Sequence, residues 1–92
     1  MHCSKMRKLI VEQTAQEDIF HWAKTDPKLL RKIIQLIENT QRNPFSGLGK
    51  PEALKHELKG FWSKRISDEH RLVYMVTDES LIIVQCRWHY SS

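Results

Sequence analysis

Cysteine, glycine and proline are all scarce in this chain, at two, three and three among 92 residues. Cys3 and Cys86 are too few for the disulfide framework that staples a small secreted scaffold, and without C-x-x-C spacing they offer no zinc or dithiol site. A reducing compartment suits such a chain, and the cytoplasm is the expected location. With 40% hydrophobic and 28% charged residues, so little glycine and proline excludes a collagen-like repeat and a disordered tail. Long apolar runs are missing too: stretches such as Leu9–Val11 and Leu81–Val84 fall far below the roughly 18 residues of a membrane span. Lys5, Arg7 and Lys8 have the look of a signal-peptide start, but the apolar stretch behind them stops at Glu12 and no small-residue cleavage site follows. No membrane partner is expected.

What is present is a basic, foldable sequence. A chain of this length buries only about 60–65% of its unfolded surface, so one compact core and one domain over residues 1–92 are expected, with flexible ends at 1–6 and 91–92. Fifteen Lys plus Arg against eleven Asp plus Glu give a net charge of +4, which favours polyanionic partners. Eight basic and five acidic residues precede Pro44, and seven and six follow from it onward. No block of like charge stands out, so an anion site has to be assembled in three dimensions.

Leu9, Ile10 and Val11 predict a strand within Lys8–Gln13. Thr14 and Glu17 have capping-box spacing and predict a helix start, with Ile19, Phe20, Trp22 and Ala23 as its apolar surface. Asp26 and Pro27 then supply an N-cap and a first-turn proline for a second helix. Leu30, Ile33, Ile34 and Ile37, at i, i+3, i+4 and i+7, predict its packing face. Between Arg42 and Pro51 the breakers Asn43-Pro44, Gly47, Gly49 and Pro51 mark a surface loop. Phe61–Ile66, Arg71–Thr77 and Leu81–Trp88 read as an antiparallel meander with turns at Ser67–Glu69 and Asp78–Ser80. Leu54–Leu58 reads as a further short strand. The fold class that follows is α+β, two N-terminal helices packed on a four- or five-stranded, mainly antiparallel twisted sheet.

Side chains with catalytic potential gather from the loop onward: Lys50, Glu52, Lys55, His56, Lys64, Arg65, His70, Arg71, Arg87, His89 and Tyr90. Alternation puts Phe61, Ser63 and Arg65 on one face of their strand and Trp62, Lys64 and Ile66 on the other. A turn centred on Asp68 sets Arg65 opposite Arg71, and like charges so placed repel unless an anion lies between them. In the next hairpin a three-residue turn pairs Arg71 with Arg87 and a two-residue turn pairs it with Cys86. His89, after the last strand, is placed for proton transfer.

Four motifs carry a resemblance: Asn43-Pro44-Phe45; Gly49-Lys50-Pro51-Glu52-Ala53-Leu54-Lys55-His56; Gly60-Phe61-Trp62-Ser63-Lys64-Arg65-Ile66; and Glu69-His70-Arg71-Leu72-Val73-Tyr74. With the ending Cys86-Arg87-Trp88-His89-Tyr90, the chain resembles the YoeB/Txe branch of the RelE toxin superfamily from about Arg7 to Tyr90. The resemblance implies a RelE-like microbial ribonuclease fold and the toxin of a bacterial toxin–antitoxin pair. Such a toxin is a ribosome-dependent, metal-independent endoribonuclease that needs no cofactor and cuts mRNA in the ribosomal A site. It is neutralised by a YefM/Phd-type antitoxin, meets operator DNA through the antitoxin complex, and in this branch forms a possible homodimer.

By the same resemblance Glu52 matches the general base, His89 the general acid, Arg71 the transition-state arginine and Tyr90 a residue shaping the site. Lys55 and Arg65 match basic residues that contact phosphate. A carboxylate with an ordinary pKa of about 4.3 becomes a good base only when burial raises it, whereas histidine near 6.5 is suited to protonate a leaving oxygen. Two departures stand out: Ser91 and Ser92 follow the His-Tyr pair at which the family commonly ends, and Trp88 replaces a frequent tyrosine. The alternative reading is a non-catalytic antitoxin-binding module that acts as a corepressor on operator DNA.

Overall fold

The computed structural model describes residues 6–88. Asp26 and Pro27 divide the helical region as their chemistry dictates. Helix α1 spans Gln13–Thr25 and α2 spans Pro27–Arg42, with the Asp26 carboxylate accepting from the Leu29 N–H at 3.2 Å. The capping box does not form: α1 begins a residue earlier than Thr14, after Glu12, with no side-chain cap. Glu17 instead accepts from the Gln13 side-chain amide at 3.4 Å. Ala15, Asp18 and Trp22 are the buried residues of α1, and Phe20 is exposed. On α2 the buried stripe is Ile33, Leu36, Ile37 and Thr40. Ile34 turns to solvent because Leu36 lies closer to the centre of the face that meets the sheet.

The strands are β1 (Lys8–Val11), β2 (Glu52–Ala53), β3 (Trp62–Arg65), β4 (Arg71–Val76) and β5 (Ser80–Gln85). They form a five-stranded sheet in the order β1-β5-β4-β3-β2. All neighbours are antiparallel except β1 and β5, which run parallel with Leu9 beside Leu81 and Val11 beside Ile83. The strand expected over Leu54–Leu58 is displaced: pairing is confined to Glu52–Ala53, and His56–Leu58 forms a 3-10 turn. The positive φ of His56, 59°, is incompatible with continuing the strand.

Ala15, Trp22, Ile33, Leu36 and Ile37 from the helices close over Ile66, Leu72, Tyr74, Leu81, Ile83 and Cys86 from the sheet side. Each fully buried Leu or Ile in this layer contributes about 1.5–3 kcal/mol. Trp22, Asp18 and the Cys86 backbone bring polar groups into it. The Trp22 indole N–H donates to the Cys86 carbonyl at 3.0 Å, and the Cys86 N–H donates to Asp18 at 3.1 Å, which ties α1 to the end of β5. Burial pushes the Cys86 thiol up to about 12, so it stays protonated.

Candidate active site

The sheet face away from the helices is organised by the β3–β4 turn. Arg65 stands opposite Arg71, as a turn centred on Asp68 requires, and Ser63 stands opposite both Glu52 on β2 and Val73 on β4. Partnered residues share a face, so Glu52, Ser63, Arg65 and Arg71 are brought together. With Lys50 they line a cavity of about 130 Å³. Three cations and one carboxylate surround it, and the buried Ser63 hydroxyl is the neutral polar group.

Arg71 is half-buried and held by the turn it follows. Its Nη1 donates to the carbonyls of Ser67 at 2.5 Å, His70 at 3.0 Å and Asp68 at 3.4 Å, which fixes the guanidinium at the cavity wall. Arg65 and Glu52 are exposed at the rim. Opposed guanidiniums repel at short range, and an anion between them removes the repulsion. A carboxylate next to that position is a proton acceptor.

The β4–β5 hairpin contains both of the registers left open by the sequence. Tyr74, Met75 and Val76 pair with Ile83, Ile82 and Leu81, the spacing of a two-residue turn. A shift between Val73 and Tyr74 then puts Val73 opposite Gln85. That one-residue bulge re-aims the end of the ladder. Beyond it the Arg71 N–H donates to the Trp88 carbonyl at 2.9 Å, and the Trp88 N–H donates to His70 Nδ1 at 2.7 Å. Trp88 adopts a positive φ of 64°. Because Nδ1 accepts, the neutral His70 ring carries its proton on Nε2. Its pKa is lowered, first by burial and also by the nearby cations Arg87 and Arg71 and by His21, with Glu69 opposing. The backbone at Trp88 is therefore clamped to Arg71, the first residue of β4, and to His70 just before it. His89 and Tyr90 themselves lie outside the described residues.

Lys55 is exposed at the start of the 3-10 turn and is not among the residues lining the cavity. Ser63 is the site residue that sequence reasoning did not single out, and Lys50, named among the side chains with catalytic potential, had no role assigned to it. Ser63 was legible in strand alternation, since it shares the face of Arg65. Lys50 carries a backbone signal visible only in the structure: with φ of 51° it is, among the described residues, one of three non-glycine residues in the left-handed region, beside His56 and Trp88. Such strain clusters where a side chain must be aimed.

Lys64, on the opposite face, has no exposed surface. Its Nζ donates to the Ser46 carbonyl at 2.8 Å, the Asn43 carbonyl at 2.9 Å and Asn39 Oδ1 at 3.2 Å. Burial lowers its pKa to about 8, so the ammonium is retained at neutral pH. The Tyr74 hydroxyl donates to the Pro44 carbonyl. Both anchors hold the loop after α2, which continues to Gly49, whose carbonyl accepts from the Arg65 N–H at 2.6 Å. Among the described residues, no group of three or more His, Cys, Asp or Glu is placed to hold a metal. No helix among them is long and apolar enough to cross a membrane.

Residues 11–90 match the model of the YoeB-like toxins of bacterial type II toxin–antitoxin systems. The chain belongs to this family. Toxin YoeB of Escherichia coli K12 is 55% identical over 83 residues, covering 90% of this chain and 99% of that protein. The solved YoeB/ParE toxin from Agrobacterium tumefaciens superposes with a TM-score of 0.87 at 45% identity, covering 90% of this chain and 99% of the other. YoeB from Staphylococcus aureus was solved as a dimer, with a TM-score of 0.85 at 40% identity and coverage of 92% and 99%. It was also solved in a heterotetrameric complex with YefM, with a TM-score of 0.83 at 40% identity and coverage of 91% and 98%. Two helices on a five-stranded mixed sheet are thus the architecture of YoeB-like toxins, and the matched range contains every expected site residue.

Proposed function

We propose that this toxin is an endoribonuclease that cuts mRNA in the ribosomal A site and so halts translation. The observation that supports this most is the cavity in which Arg65 and Arg71 face each other beside Glu52. A scissile phosphate fits between the guanidiniums. Glu52 takes the proton of the adjacent ribose 2′-hydroxyl, and the 2′-oxygen attacks phosphorus as the bond to the 5′-oxygen breaks. The products are a 2′,3′-cyclic phosphate and a 5′-hydroxyl, whose oxygen receives its proton from His89. Negative charge gathers on the phosphoryl oxygens in the transition state, so fixed arginines stabilise it more than the ground state. Lys50 adds to that field, Lys55 contacts phosphate outside the cavity, and Tyr90 shapes the site. No step in this scheme calls for a metal or a cofactor.

Its partners in this reading are the ribosome and mRNA, a YefM/Phd-type antitoxin, and operator DNA reached through the antitoxin complex. The chain acts as a single domain in the cytoplasm, and a homodimer matches the assembly solved for the S. aureus relative. The test is to add purified protein to ribosomes programmed with a defined mRNA and map new ends, with and without His89→Gln. Cleavage in the A site is expected, lowered by roughly 10²–10⁴-fold in the variant. Equal cleavage by both proteins removes the role of His89. No cleavage by folded, antitoxin-free protein favours the corepressor reading.

A further inference from the structure

A second cavity, of about 300 Å³, adjoins the first and shares Lys50 and Arg65 with it. Leu36 and Leu48 give it an apolar lining, and Lys32, Lys50 and Arg65 give it three positive charges with no carboxylate among its walls. Gln35 adds an amide that both donates and accepts. Its size is at the lower end of the roughly 300–1,000 Å³ of small-ligand clefts. A metal ion is repelled by such a lining, and an apolar ligand leaves three cations unmatched. A nucleotide satisfies both halves, with a flat base for the leucines and a phosphate for the cations.

We propose that this cavity is a subsite for the nucleotide next to the scissile one. The inference rests on the nuclease reading, because the two cavities share Lys50 and Arg65 as a common wall. Because Lys50 and Arg65 line both cavities, a polyanion with one phosphate between Arg65 and Arg71 meets further positive charge in the second cavity. That continuity favours RNA over an acidic protein segment, which the charges alone would also accept. Gln35 is the group placed to contact a base edge.

The subsite is tested by following backbone amide shifts of the full chain during titration with two probes. One is an uncleavable trinucleotide bearing 2′-deoxy sugars at its first two positions, and the other is inorganic phosphate. Leu48→Asp is the informative variant: Leu48 is 56% exposed, so the change spares the core while placing a carboxylate in the cavity. The trinucleotide is expected to perturb Lys32 and Leu48 amides and to lose about tenfold or more in affinity in the variant. Affinity for inorganic phosphate should stay within about twofold, since without a base it gains nothing from Leu36 and Leu48 and is held between Arg65 and Arg71. No perturbation at these amides by millimolar trinucleotide, or equal weakening of both probes, overturns the subsite. So does the case in which only an acidic peptide such as oligoglutamate binds there. If the trinucleotide behaves as expected but programmed ribosomes remain uncut, the nuclease reading fails and the subsite stands as an RNA-binding feature. Cleavage by the wild-type protein together with a trinucleotide indifferent to Leu48→Asp overturns the subsite alone.

Discussion

Lys64 marks the limit of what a single residue reveals in sequence. Strand alternation put it on the packing face with Trp62 and Ile66, yet composition made it an ordinary surface lysine. Its three acceptors come from positions 18, 21 and 25 residues away, a coincidence that no local pattern encodes. Lys64→Met keeps the stem and removes the donors, leaving those oxygens to solvent or to nothing. The expected loss is roughly 1–3 kcal/mol of unfolding free energy, read from urea melts. An unchanged midpoint means that the ammonium contributes nothing. His70 is the second such residue, since only its neutral ring accepts from the Trp88 N–H. Its folded pKa is depressed, so between the folded value and about 6.5 the unfolded chain binds more protons than the folded one. Its contribution to stability is full above about 6.5 and is lost as pH falls through the folded value. Thermal melts from pH 7.5 to 5.5 should decline in the wild type and decline less in His70→Gln. Asp18, whose pKa is raised mainly by burial, acts in the opposite direction at lower pH. Parallel curves for the two proteins in the upper window exclude His70 as the source.

At the scale of elements, strong local chemistry translated well and weak chemistry did not. Asp26-Pro27 and the turn at Asp68 behave as read, because an N-cap bond and a tight hairpin act over a few residues. The capping box of Thr14 and Glu17 lost to a start one residue earlier, where β1 hands directly to α1. Leu54–Leu58 reads as a short strand, but it carries no period-two apolar pattern, and the backbone leaves the sheet at Ala53 and turns at His56. The loop before β2 is the element on which the site depends. Gly49, at φ of +85°, approaches so closely that an added Cβ would lie 2.9 Å from Lys64 Cβ and 3.0 Å from Leu36 Cδ1. Gly49→Ala therefore meets both an unfavourable backbone region and a clash, and should cost roughly 1–3 kcal/mol. It should also weaken cleavage, because Lys50 follows directly and the Gly49 carbonyl holds the Arg65 N–H. Full stability and full cleavage in this variant would show that the loop is not rigidly required. Gly60, by contrast, has open space where a Cβ would go.

Across the whole molecule, the sheet order explains why residues far apart in sequence meet. Placing β5 between β1 and β4 carries the segment after β5 back to the start of β4, so Trp88 is gripped by His70 and Arg71. The helices cover one face and leave the other to Glu52, Ser63, Arg65 and Arg71. The antiparallel part of this plan was legible from turns and β-branched runs. The parallel pairing of β1 with β5 was not, since the two strands are joined through the entire chain and no local signal records it. In the same way the facing arginines followed from one turn, whereas Lys50 and the second cavity needed the packing of the loop on α2. The central proposal is chemical: the toxin cuts by making the RNA attack itself. The direct test is a programmed ribosome whose mRNA carries one 2′-deoxy nucleotide on the 5′ side of the mapped cut. Cleavage at that position should disappear while the unmodified transcript yields a 2′,3′-cyclic phosphate end; undiminished cutting of the deoxy transcript would contradict the 2′-hydroxyl mechanism and Glu52 as its base.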